Sequence, residues 1–149
     1  MKTILVPIDF SDVSAKVVDT AVTLAGAFGS RVILVHVAEP EPQFVGYDPD
    51  PLSVRVAVPG DFQAGRQRLE ALKQKFGAAD VLALQVQGSS PDEILKLARE
   101  HAATLIVMGS HGHGALYQLF VGSVTAAILK DAPCPVLIVP GDGTLPGTE

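Results

Sequence analysis

The chain is 149 residues long with 48% hydrophobic content, one domain's worth of sequence with enough apolar side chains to bury a substantial core. A formal net charge of -5, without a long basic run, argues against a general nucleic-acid binder, whose affinity comes from lysine and arginine on phosphates. Cys134 is the only cysteine, so no intramolecular disulfide is possible; Pro7 and Asp9 break the opening run too early for a signal peptide; and no uninterrupted apolar run reaches the roughly 18 residues of a membrane span. A soluble, cytoplasmic protein is expected.

Thr3 to Ile8 is a short β-branched run of the kind found in strands buried on both faces. Ser11 then offers an N-cap, and Val17, Ala21, Leu24, Ala25 and Phe28 share one helical stripe that stops at Gly29. Arg31 to Val37 is a second buried strand. Glu39 to Gly60, rich in proline, aspartate and glycine, has neither period and is expected to be a long loop, a lid or a disordered segment. Asp61 to Phe76 carries Phe62, Leu69, Leu72 and Phe76 near helical spacing and closes at Gly77, and Val81 to Val86 gives the third strand. Ser90-Pro91-Asp92-Glu93 starts the next helix, with serine at the N-cap, proline at the first helical position and glutamate completing a capping box; Ile94, Leu95, Leu97 and Ala98 supply its buried face. Thr104 to Met108 is strand four, Gly122 to Lys130 the last helix and Val136 to Val139 strand five, leaving Gly141 to Glu149 as a polar tail after a domain of residues 1–140.

Strands alternating with helices imply one doubly wound α/β domain, a parallel five-stranded sheet with helices on both faces. Ligands of such sheets bind beyond the carboxyl ends of the strands, where strand order reverses. In the order 3-2-1-4-5 that point lies between strands one and four, which end in Asp9 and in Gly109-Ser110-His111-Gly112-His113-Gly114. A flavodoxin-like order would put the crevice elsewhere, and periodicity alone does not choose.

The glycine loop is the chain's main chemical signal. Glycines let backbone amides approach a ligand that side chains would exclude, and an amide-rich helix start attracts anions, so Gly109 to Gly114 followed by Gly122-Ser123 reads as a phosphate cradle. Asp9 could instead cap the turn that follows it, and Ser123 could be only an N-cap. His111 and His113 stand without a cluster of zinc-ligand spacing, His36 reads as a satisfied histidine within an apolar strand, and Cys134 as a small packed residue.

The spacing Gly109-x2-Gly112-x9-Gly122-Ser123 resembles the nucleotide-binding signature of the ATP-binding members of the universal stress protein family. The likeness extends to Val6-Pro7-Ile8-Asp9, His36-Val37, Val107-Met108-Gly109-Ser110 and Ala132-Pro133-Cys134-Pro135-Val136-Leu137-Ile138-Val139. It implies the order 3-2-1-4-5, ATP at the switch point and a homodimer in which fifth strands pair, Val136 to Val139 being an apolar edge without a blocking charge. Carried over to this chain, Asp9 and the backbone near Pro7 and Val37 hold the adenine. Gly109 lies by the ribose, Ser110 belongs to the same site, and Gly112, His113, Gly122, Ser123 and the amide of Val124 surround the phosphates. Where many family members carry a basic residue between the last two glycines, this chain has Leu116-Tyr117-Gln118-Leu119. Amides, the helix dipole or Mg²⁺ would then meet the phosphate charge, and ADP or AMP could replace ATP.

The function implied is regulatory: nucleotide occupancy alters a dimer surface that a protein partner reads. The competing reading is a slow ATPase or phosphotransferase using the same pocket. Phosphoryl transfer needs positioned cationic charge, and neither a P-loop lysine nor an arginine stands beside the loop.

Overall fold

A computed structural model describes residues 2–38, 59–77, 79–110 and 122–141. Gly112 and His113 of the expected cradle, with His111 and Gly114, lie outside the described residues, as do most of the expected loop from Glu39 to Gly60 and of the tail.

Five parallel strands, β1 (Thr3–Pro7), β2 (Arg31–Ala38), β3 (Val81–Gln87), β4 (Leu105–Gly109) and β5 (Val136–Val139), form one sheet in the order β3-β2-β1-β4-β5. Because strand side chains alternate, each central strand feeds two cores. Ile4, Val6, Val32, Leu34 and Val107 pack on one face under helix α1 (Ser14–Phe28) and helix α2 (Pro59–Lys73). Leu5, Ile33, Val35, Ile106 and Met108 pack on the other under α3 (Ser90–Glu100) and α4 (Ser123–Asp131). Leu5, Ile33, Leu34 and Ile106 are all 0% exposed, so truncating any of them to alanine would cost about 2–5 kcal/mol. Among the described residues, no helix is long and apolar enough to cross a membrane.

Helix starts are where local sequence misled. Ser11 does not cap α1: the N-cap position is Val13, in helical backbone geometry, and among the described residues Ser11 Oγ is buried with no hydrogen-bond partner. The cause lies two residues earlier, where Asp9 Oδ1 accepts from the Ser11 N–H at 2.9 Å, an Asx turn that delays the helix by most of a turn. Pro59 and Gly60 belong to α2 rather than to the preceding loop, with proline in the first turn, where its missing N–H is harmless. The N-cap of α3 is Ser89, one residue before the expected Ser90, and that of α4 is Gly122, which makes Ser123 the first helical residue.

Two expected core residues also differ. Phe28 is 52% exposed and Phe62 39%, since each lies at a helix end beyond the sheet face. The helix stops at Gly29 and Gly77 hold: both have positive φ, 61° and 58°, which an L side chain rarely adopts.

Candidate functional site

The chain runs outward from β1 to β2 and β3, then returns to the other side of β1 for β4 and β5, so the switch point lies between β1 and β4. Their pairing ends at Leu5 and Ile106, although β1 continues to Pro7 and β4 to Gly109. Pro7 is the reason. The Ile8 N–H donates to Val35 of β2 at 2.8 Å, so by strand alternation the backbone of Pro7 faces β4, and proline has no N–H to extend the ladder. The crevice therefore opens at a position written in the sequence.

Asp9 stands at its β1 rim. Besides the Ser11 N–H, Asp9 Oδ1 accepts the Ser14 hydroxyl at 3.1 Å, so the carboxylate both caps the turn and is held in a fixed plane above the end of β1. Phe10 beside it has φ 59°, a left-handed backbone that costs a bulky residue roughly 1–3 kcal/mol and persists only where the surroundings over-determine it. Its ring lies 4.6 Å from that of His36 and 4.1 Å beneath the Arg68 guanidinium. His36 Nδ1 is 2.8 Å from the Ile8 carbonyl, a satisfied histidine at the end of β2. Val37, next along β2, packs on the opposite face of the sheet, with the α3 and α4 core.

The other rim is built by β4 and α4. The Ser110 N–H donates to Val139 at 3.0 Å, and the Ser110 carbonyl accepts the Gly122 N–H at 2.8 Å. Thr125, 2% exposed, donates its hydroxyl to the Gly109 carbonyl at 3.0 Å and ties the first turn of α4 to the end of β4. Ser123, Val124 and Thr125 occupy the first helical positions, whose N–H groups have no acceptor within the helix and carry its positive dipole end. Neither Gly109 nor Gly122 has positive φ, so the turn does not require glycine there.

The structure thus brings Pro7, Asp9, Gly109, Ser110, Gly122, Ser123 and Val124 to the carboxyl ends of neighbouring strands. Sequence reading overlooked three contributors. Thr125 looked like one more helix residue, and the contact of Arg68 with Phe10 joins residues far apart in the chain. The third, Lys16, donates Nζ to the Pro140 carbonyl at 3.1 Å, which stands a cation from α1 at the end of β5. Among the described residues, no group of three or more His, Cys, Asp or Glu could hold a metal ion. A cleft of about 710 Å³ lined by Lys2, Gly26, Gly29, Arg31, Phe76 and Asp80 lies at the amino ends of the strands, the pole opposite to where doubly wound sheets take ligands.

Sheet order and crevice define a doubly wound, Rossmann-like α/β domain whose strand order reverses between the first and fourth strands. The chain belongs to the universal stress protein family, whose sequence model matches residues 1–140. A universal stress protein of Thermus aquaticus is 37% identical over 145 residues, covering 93% of this chain and 98% of that protein. Among solved structures, the universal stress protein UspA of Lactobacillus plantarum superposes with a TM-score of 0.72 at 25% identity, covering 93% of this chain and 97% of that one. A universal stress protein solved in complex with cAMP superposes with a TM-score of 0.68 at 26% identity, covering 95% of this chain and 98% of that one.

Proposed function

We propose that the protein is a cytoplasmic, homodimeric regulator of the stress-response type that binds ATP in the β1–β4 crevice and presents a surface that depends on nucleotide occupancy. The observation that supports this best is the pairing of two chemistries across one crevice. A turn-held carboxylate, Asp9, stands on the β1 side, and a helix start that opens on glycine, Gly122 to Thr125, on the β4 side. A carboxylate accepts from an adenine amino group or a ribose hydroxyl, while the amides and dipole of α4 suit phosphate. In this reading Asp9 and the backbone of Pro7 and Val37 hold the adenine, Gly109 and Ser110 lie by the ribose, and Gly112, His113, Gly122, Ser123 and Val124 surround the phosphates. The cAMP complex of a relative supports an adenine nucleotide as the ligand class.

Binding rather than turnover is the reading because phosphoryl transfer needs positioned cationic charge, and the sequence carries neither a P-loop lysine nor an arginine beside the glycine loop. Mass spectrometry of the gently denatured protein, followed by calorimetric titration with ATP, ADP, AMP and cAMP, tests the reading. A co-purified adenine nucleotide, or a micromolar titration, is the expected result; no binding of any of the four overturns it. Hydrolysis with Mg²⁺ over hours should stay near background, and turnover that vanishes in His111→Ala or His113→Ala would replace the regulator by an enzyme.

A further inference from the structure

We propose that Arg68 is a positioning residue for nucleotide recognition, acting from α2 through Phe10 on Asp9. This role rests on the nucleotide-binding reading of Asp9 given above. Asp9 is held by the turn that follows it, and in that turn Phe10 keeps a left-handed φ of 59° that a side chain of its size disfavours. The ring is gripped from two directions. His36 lies 4.6 Å away, itself anchored to the Ile8 carbonyl by Nδ1, and the Arg68 guanidinium lies 4.1 Å over the ring.

The position of Arg68 is in turn set by the seating of α2. Gly65, one turn earlier on the same stripe, is buried, and a Cβ there would stand 2.8 Å from Gln85 Nε2 of β3. Gly65 thus faces the amide end of Gln85, and Arg68 follows one turn later on that helix. Leu69, 1% exposed, fixes the helix from the other side of the stripe. Seating of α2 is thereby coupled, through one cation–π contact and one strained residue, to the carboxylate at the crevice rim. Without the guanidinium, Phe10 can relax toward negative φ, which rotates the peptide between Phe10 and Ser11 and releases the Ser11 N–H from Asp9.

A merely structural cation–π contact would alter stability and nothing else, so the test compares ligands. In Arg68→Ala, calorimetry should show ATP weakened about two- to fivefold, the range that one partly exposed cation–π contact can supply, with tripolyphosphate unchanged. Arg68→Lys, which keeps a cation, should recover part of the loss. The decisive variant is Phe10→Gly: glycine adopts the left-handed turn without a clamp, so adding Arg68→Ala in that background should change ATP affinity less than twofold. Unchanged ATP affinity in Arg68→Ala, an equal loss for ATP and tripolyphosphate, or the same loss with glycine at position 10 overturns the proposal. A parent that binds no adenine nucleotide refutes the nucleotide reading instead. The clamp is then read from the Ser11 amide by NMR, where Arg68→Ala should speed its hydrogen exchange, and an unchanged rate overturns it.

Discussion

The backbone N–H of Gly122 donates to the carbonyl of Ser110 at 2.8 Å, joining the residue before α4 to the residue after β4. The Gly122 amide is therefore engaged inside the protein. In the proposed reading, an anion at this corner is left to the amides of Ser123, Val124 and Thr125, and Gly122 serves it by having no side chain.

Replacing Gly122 with glutamate should abolish ATP binding while leaving the melting temperature nearly unchanged, because φ -60° and ψ 158° suit any L residue and the new carboxylate would occupy phosphate space. Calorimetric titration beside thermal denaturation checks both halves. A glutamate variant that binds ATP like the parent would remove the α4 start from the site.

Asp9 has two roles that substitution can separate. Asp9→Ala should weaken ATP by on the order of tenfold, about 1.4 kcal/mol, leave tripolyphosphate unaffected and destabilise the fold by about 1 kcal/mol through the lost turn acceptor. Asp9→Asn keeps an acceptor for the Ser11 N–H and the Ser14 hydroxyl, so it should retain stability yet still lose affinity for ATP. Equal losses for ATP and tripolyphosphate would assign Asp9 a purely structural role.

The open edge of β5 should pair with that of a second copy. Because Val139 accepts the Ser110 N–H, residues 137 and 139 face β4, and the N–H groups of Val136 and Ile138 face outward from the sheet edge. Ile138→Pro should thus remove an edge donor and leave the β4 ladder intact, shifting a dimer toward monomer in light scattering at micromolar concentration. A strictly monomeric parent would dispose of this interface without touching the crevice.

Gly26 lies within α1, and beyond its own helix no described residue comes within 4 Å of the point where a Cβ would sit. Gly26→Ala should stabilise the protein by about 1 kcal/mol, seen as a rise of about 3 °C in melting temperature, through helix propensity alone. A fall instead would reveal a packing or ligand constraint at that helix end.

Burial pushes the Cys134 thiol above its ordinary pKa, since the thiolate loses more solvation than the neutral form. At pH 7 the reactive thiolate is then scarcer than in a free cysteine, so iodoacetamide should label Cys134 more slowly than an unhindered thiol, with a pH midpoint displaced upward. Faster labelling than the free thiol would reopen a redox role.

Sequence alone determined the alternation of strands and helices, the glycine stops at Gly29 and Gly77, and the candidate rims at Asp9 and Gly109. Each is encoded locally: apolar runs of strand length have one good way to bury themselves, and a left-handed helix end favours glycine. Pro7 belongs here too, although its consequence was not legible, because the missing N–H opens a crevice only once β4 is its neighbour. The order β3-β2-β1-β4-β5 was open to periodicity, since every buried strand presents a similar apolar run to any neighbour; family resemblance chose it.

Tertiary structure alone decided what the side chains do with one another. The expected cap of α1 gave way to a turn in which Asp9 takes the Ser11 N–H and the Ser14 N–H goes to the Ser11 carbonyl rather than its hydroxyl. The engagement of the Gly122 amide, the Thr125 tether to Gly109 and the grip of Arg68 on Phe10 all join residues distant in sequence. Such contacts depend on distances of a few ångströms that no local pattern carries, and they become definite only when packing of both sheet faces fixes where each helix sits.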